Sequence, residues 1–124
     1  MGKRALIIED NAKNMTLLKD ILEHEGFENM GAGDGETGVR LAKEWLPDII
    51  LMDIQMPVMD GFTAIKLLKT DARTKNIPVI GITALAMVGD RESVLKAGFN
   101  VYIAKPYNIA DIVAQVKLLL QRRM

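Results

Sequence analysis

Four short apolar runs recur along this chain, and none of them contains a charged residue. They do not alternate apolar and polar positions, which is typical of strands buried on both faces, as in a parallel sheet covered by helices. The segment 27–32 is a weaker candidate and predicts an edge strand. The four runs are 5–8, 49–52, 79–82 and 101–104.

Segments with helical spacing separate these strands. Glycine or proline closes several of them, at Gly26, Pro47 and Gly98. The predicted helices cover 12–25, 35–46, 62–69, 91–97 and a last segment from 109 with apolar residues at i, i+3, i+4 and i+7. Alternating strands and helices predict an α/β fold, a doubly wound parallel sheet of five strands with helices on both faces. At 124 residues, we expect one domain spanning 1–124.

Composition excludes several classes of function. The 16 basic and 16 acidic residues balance to a formal charge of zero, which argues against direct nucleic-acid binding. The absence of cysteine excludes disulfides and thiolate chemistry. Without a signal peptide or an apolar run long enough to span a bilayer, we expect a cytoplasmic protein that does not bind a membrane.

Each of the four buried runs leads into a reactive polar side chain. The carboxyl ends of parallel strands lie at one edge of the sheet, where α/β proteins bind ligands. We therefore expect these side chains to meet there. A polar residue at one strand end can have no role beyond capping a helix. Polar residues with matched chemistry at four strand ends indicate a site. The residues are Glu9 and Asp10, Asp53, Thr83 and Lys105.

The charges of this group predict a divalent cation. Three carboxylates against one ammonium leave an excess of negative charge, and clustered carboxylates either raise one pKa or recruit a cation. Oxygen ligands with open positions suit Mg²⁺, which binds one or two carboxylates, waters and a phosphate. We therefore predict Mg²⁺ as the cofactor of a phosphate-handling site.

Other phosphate and metal motifs are weak or missing. The chain has no P-loop motif, and the segment 31–36 departs from a dinucleotide fingerprint because its sixth residue is Glu36. We interpret that segment as a turn. His24 is the only histidine and lies on a polar helix face, so we interpret it as a surface residue.

The chain resembles the receiver domains of two-component response regulators, over its whole length. The similarity is greatest to stand-alone cell-division regulators and to the receivers of hybrid kinases. It implies the flavodoxin-like strand order 2-1-3-4-5. The matching segments are Ile7-Ile8-Glu9-Asp10-Asn11, Leu51 to Gly61 with Asp53 and Pro57, Ile82-Thr83-Ala84 and Ala104-Lys105-Pro106.

The resemblance implies a role for each site residue. Asp53 would accept the phosphoryl group, and Thr83 and Lys105 would contact its oxygens. The metal would be held by Glu9, Asp10, Asp53 and the backbone carbonyl of Gln55. The switch residues would be Thr83, Tyr102 and Pro106, the last of these following a cis peptide bond. Gln55 stands where many members have Asn, and with Leu85 it would tune the lifetime of the phosphate.

The resemblance also implies partners. A sensor histidine kinase or a histidine phosphotransfer protein would dock on the first helix near Asn14, Met15 and Leu18, although Leu18 could equally be a core residue. A downstream protein target would bind the face of the fourth helix, fifth strand and fifth helix. Candidate contacts there are Leu85, Met87, Tyr102 and Tyr107. Tyr102 could also be an ordinary partly buried tyrosine.

These implications describe a stand-alone signalling switch rather than a turnover enzyme, either a monomer or a weak dimer linked to phosphorylation. Two other roles are compatible with the same family, namely a phosphate shuttle in a relay and a receiver excised from a hybrid kinase. Two alternatives belong to other classes. A hydrolase of the haloacid dehalogenase type requires a second Asp at the position that Gln55 occupies. A flavodoxin-like cofactor carrier requires a phosphate-binding loop at the position of Glu9 and Asp10, whose charges would repel phosphate.

Overall fold

The computed structural model describes residues 3–56, 59–84 and 90–122, in which strands and helices alternate. The strands are β1 Arg4–Ile8, β2 Glu28–Ala32, β3 Ile49–Asp53, β4 Val79–Thr83 and β5 Val101–Ala104. The helices are α1 Ala12–His24, α2 Gly35–Trp45, α3 Gly61–Lys69, α4 Asp90–Ala97 and α5 Ile109–Arg122. All ten predicted elements are present, and their ends differ from the predicted ones by at most one residue where both are defined.

The strands form one parallel sheet in the order β2-β1-β3-β4-β5, which confirms the predicted fold class and topology. Strands β3 and β4 are buried along their whole length, as their uninterrupted apolar runs predict. Strand β2 lies at the edge and is less buried, which agrees with its weaker apolar pattern.

Helices cover both faces of the sheet and produce two apolar clusters. Successive residues of a strand point to opposite faces, so Leu6 and Ile8 pack against α2, α3 and α4, whereas Ala5 and Ile7 pack against α1 and α5. Both faces of β1 are therefore removed from water, and the polar residues that follow the strand are carried on a rigid element.

Local side-chain chemistry defines where the helices begin and end. Four helices begin after a residue whose side-chain oxygen accepts a hydrogen bond from a backbone N–H of the first turn, namely Asn11, Asp34, Asp60 and Asn108. Gly26 after α1 and Gly98 after α4 have positive φ angles of 87° and 120°, which glycine adopts at little cost.

Within the described parts of the chain, no helix is both long enough and apolar enough to span a membrane.

The start of α3 is packed closely against the loop that leaves β3. The N–H of Gly61 donates to the carbonyl oxygen of Ile54 at 2.8 Å. A Cβ atom at Gly61 would lie 2.6 Å from the Cα of Ile54, so the backbone itself would have to move. This contact constrains the loop that follows Asp53.

We expect the Gly61→Ala substitution to lower the free energy of unfolding by about 1–3 kcal/mol, because it overpacks a backbone contact. Gly33→Ala is the matched control, since nothing lies within 4 Å of a Cβ at Gly33 and its φ is not positive. We expect the control to be neutral or stabilising by no more than about 1 kcal/mol. Urea denaturation measures both, and equal losses in the two variants would contradict the packing argument.

Candidate functional site

The carboxyl ends of two neighbouring strands bring three carboxylates together. Strands β1 and β3 pair with Ile8 opposite Met52, so Glu9 follows one strand beside the place where Asp53 ends the other. One carboxylate oxygen each from Glu9, Asp10 and Asp53 lies within 4.8 Å of the other two. Glu9 and Asp53 are only 2% and 5% exposed, whereas Asp10 faces solvent.

An ammonium group from a more distant strand reaches the same cluster. The Nζ atom of Lys105, which follows β5, lies 3.2 Å from Oδ2 of Asp53 and 3.8 Å from Oε1 of Glu9. The N–H of Lys105 also donates to the carbonyl oxygen of Thr83 at 2.8 Å. The peptide bond between Lys105 and Pro106 is cis, as the resemblance implies.

The cluster has three carboxylates and one ammonium, so its negative charge is only partly compensated. Burial raises the pKa of Glu9 to about 7, and the neighbouring charge of Asp53 and a hydrogen bond with it act in the same direction. The N–H of Asn11, which donates to Oε2 of Glu9 at 3.1 Å, opposes this rise, as does the charge of Lys105. A buried carboxyl that is half protonated near neutral pH would bind a cation in exchange for its proton.

These residues fit a bound Mg²⁺. The ion takes oxygen ligands at about 2.0–2.1 Å and keeps several waters, and the three carboxylates offer oxygens that lie within 4.8 Å of one another. The exposed Asp10 leaves the site accessible from solvent. The metal role of the Gln55 carbonyl stays a prediction.

Thr83 is placed at the same edge but its hydroxyl contacts Gln55. Thr83 ends β4 and is fully buried. Its Oγ1 donates to Oε1 of Gln55 at 3.3 Å, and the N–H of Ala84 donates to the same oxygen at 3.2 Å. The N–H of Gln55 donates to Oδ1 of Asp53 at 3.0 Å. The sequence did not reveal this use of the Gln55 side chain, because no motif encodes it.

The two tyrosines lie on different sides of the sheet. Tyr102 is half-buried and packs against the cluster that faces α2, α3 and α4. Tyr107 packs against the cluster that faces α1 and α5. Burial raises the pKa of Tyr107, and the charges of Glu9 and Asp53 raise it further. Leu85 and Met87, the other two expected contact residues, fall outside the described residues.

A surface cleft lies beside the cluster, between α1 and the loops after β4 and β5. It has a volume of about 480 Å³ and is lined by Asn14, Leu17, Ala84, Lys105, Pro106 and Tyr107. Of the expected docking residues, Asn14 lines this cleft and Met15 is half-buried. Leu18 is only 2% exposed and belongs to the core, and the neighbouring Leu17 is 41% exposed. The helical pattern did not separate Leu17 from Leu18, because both are apolar.

The chain is similar to known proteins over nearly its whole length. The family model described as "Response regulator receiver domain" matches residues 5–117. The polar-differentiation response regulator DivK of Brucella anthropi is 41% identical over 117 residues, which cover 94% of this chain and 95% of that protein.

Solved structures show the same fold. The receiver domain of the sensor histidine kinase PA1611 from Pseudomonas aeruginosa has a TM-score of 0.90 and 35% identity, over 98% of this chain and 99% of that one. That structure is described with a magnesium ion coordinated in its active-site cleft. The chemotaxis protein CheY4 of Vibrio cholerae, at 22% identity and a TM-score of 0.89 over 96% of this chain and 99% of that one, shares the fold.

The raised pKa of Glu9 gives a prediction for stability without metal. Between pH 4.5 and about 7 the folded protein binds more protons at Glu9 than the unfolded chain does, so stability falls as the pH rises through this range. In EDTA, we expect Glu9→Gln to remove this part of the decline, whereas Glu23→Gln, a change at an exposed glutamate of α1, leaves it in place. Thermal unfolding against pH measures the difference, and equal slopes for wild type and Glu9→Gln would contradict it.

The position of Lys105 gives a second prediction. Because its ammonium lies against two of the carboxylates, it competes with any cation that binds them. We expect Lys105→Met to tighten Mg²⁺ binding several-fold, as measured by calorimetry at neutral pH. The exposed Lys117, whose ammonium pairs with Glu25, provides the control Lys117→Met, which should leave Mg²⁺ binding unchanged. Weaker Mg²⁺ binding in Lys105→Met would show that the ammonium does not compete with the metal.

Proposed function

Because the chain belongs to the response regulator receiver domain family of two-component signalling, we propose that it works as a switch in which Asp53 accepts a phosphoryl group. One observation carries this proposal. Asp53 is nearly buried at the end of β3, in contact with the Lys105 ammonium and beside two further carboxylates that can hold a metal. This is a nucleophile surrounded by the groups that phosphoryl transfer requires.

In the proposed transfer, an oxygen of Asp53 attacks phosphorus while the bond from phosphorus to a histidine nitrogen of the donor breaks. The leaving imidazole keeps that electron pair, and Asp53 becomes an aspartyl phosphate. Lys105 neutralises charge on the phosphoryl oxygens. Glu9, Asp10, Asp53 and the Gln55 carbonyl would hold Mg²⁺, which when bound neutralises further charge on these oxygens.

The proposed output is a conformational change. Phosphorylation replaces one negative charge with nearly two and adds acceptor oxygens, toward which Thr83 can turn its hydroxyl. We propose that Tyr102 and Pro106 respond, and that the α4-β5-α5 face then binds a downstream protein. Water resets the switch by attacking phosphorus, which releases the Asp53 carboxylate. The protein is thus proposed as a signalling switch rather than a turnover enzyme.

We propose that a sensor histidine kinase or a histidine phosphotransfer protein is the phosphodonor. The cleft beside the site supports this, because Lys105 is one of its lining residues together with Asn14 and Tyr107. A donor protein bound in the cleft would therefore lie next to the carboxylate cluster. Such donors act in the cytoplasm, which we propose as the location. Direct contact with nucleic acid or membrane is not part of the proposal, and we expect a monomer or a weak dimer linked to phosphorylation.

The match to DivK bears on how the signal leaves the protein. This chain covers 95% of that response regulator. We propose that this chain, like a response regulator, passes its signal on through contact with partner proteins.

The direct test is to incubate the protein with Mg²⁺ and acetyl phosphate and to measure its intact mass. We expect one phosphoryl adduct that hydroxylamine removes, and no adduct in Asp53→Asn. The control Asp60→Asn changes a carboxylate seven positions away and keeps a side chain that caps α3 equally well, so it should form the adduct. An adduct that survives in Asp53→Asn, or steady hydrolysis of phosphate esters without an adduct, would contradict the proposal.

A further inference from the structure

The side chain of Gln55 joins the loop that follows Asp53 to the end of β4 and the loop after it. Its backbone N–H donates to Asp53 at 3.0 Å, and its side-chain oxygen accepts from the Thr83 hydroxyl at 3.3 Å and from the Ala84 N–H at 3.2 Å. One residue therefore contacts both the carboxylate that is phosphorylated and the threonine that responds.

The orientation of the Gln55 amide follows from its partners. The N–H of Ala84 can only donate, so the side-chain atom that faces it must be the carbonyl oxygen and not the nitrogen. The Thr83 hydroxyl can direct its hydrogen toward the same oxygen and donate to it. Both hydrogen bonds thus converge on a single acceptor.

We propose that Gln55 is a positioning residue that holds Thr83 and Ala84 in the unphosphorylated arrangement, so that its hydrogen bonds must break before Thr83 can donate to a phosphoryl group. This inference rests on the proposed function, since it assigns Thr83 to the phosphorylated state. It adds a role for the Gln55 side chain that is separate from the predicted metal ligand, its backbone carbonyl.

The size of the effect follows from linkage. An interaction made in only one of two states biases the equilibrium by its own free energy, and any ligand of the other state must overcome that bias. Gln55 is exposed, so water competes for its amide and the bias is modest. We expect the loss of these hydrogen bonds to favour the phosphorylated arrangement by about two- to tenfold.

Gln55→Met is the variant that isolates this effect. Methionine has a similar length and lacks the amide, and the backbone carbonyl is retained. Gln55→Glu keeps an acceptor oxygen at the same place. Gln121→Met makes the same chemical change on an exposed position of α5, away from the site, and serves as the matched control.

The experiment titrates each protein with beryllium fluoride, a mimic of the phosphoryl group, at saturating Mg²⁺ and follows the amide resonances by NMR. We expect Gln55→Met to bind beryllium fluoride two- to tenfold more tightly than wild type when both proteins are saturated with Mg²⁺. Before beryllium fluoride is added, its Ala84 amide proton should shift upfield and exchange faster with solvent, and Gln55→Glu should retain the wild-type Ala84 signal. Gln121→Met should match wild type throughout.

The outcomes distinguish a failure of the positioning role of Gln55 from a failure of the proposed function. If wild type binds beryllium fluoride and Gln55→Met binds it equally or more weakly, the positioning role of Gln55 is wrong and the proposed function stands. An unchanged Ala84 amide in Gln55→Met would also overturn the positioning role. If wild type does not bind beryllium fluoride with Mg²⁺, the proposed function and the inference that rests on it both fail.

Discussion

The site depends on one electrostatic constraint, which is that two carboxyl groups are buried side by side at adjacent strand ends. The parallel register of β1 and β3 places Glu9 next to Asp53, and the helices on both faces keep water from the strands that carry them. Burial of like charges is costly unless a proton, an ammonium or a metal compensates it. The carboxylate cluster is therefore stabilised by any positive charge that binds next to it.

The fold supplies one positive charge to the cluster from a strand that is not adjacent to β3. Lys105 follows β5, with β4 between it and β3, and its long side chain crosses to Asp53 and Glu9. The ammonium compensates only part of the negative charge, and burial, together with the charge of Asp53, still raises the pKa of Glu9. A site that is short of positive charge and open at Asp10 favours an incoming cation, and a phosphoryl group can then approach with less repulsion.

Most of the fold could be predicted because four of the five strands are apolar runs and glycine or proline follows three of the five helices. The strand order came from the resemblance and not from the runs, since apolar patterns do not specify which strands are neighbours. The convergence of Glu9, Asp53 and Lys105 followed from the rule for strand ends. The contact of Gln55 with Thr83 and Ala84 could not be predicted, because it depends on how two loops approach each other in space.

The most direct test of the central claim is to locate a divalent cation on the protein. Mn²⁺ prefers the same oxygen ligands as Mg²⁺ and broadens the NMR signals of nearby nuclei. We expect substoichiometric Mn²⁺ to broaden first the amide signals of Glu9, Asp10 and Asp53, and excess Mg²⁺ to restore them. Broadening centred on another part of the surface, or broadening that Mg²⁺ does not reverse, would contradict the account.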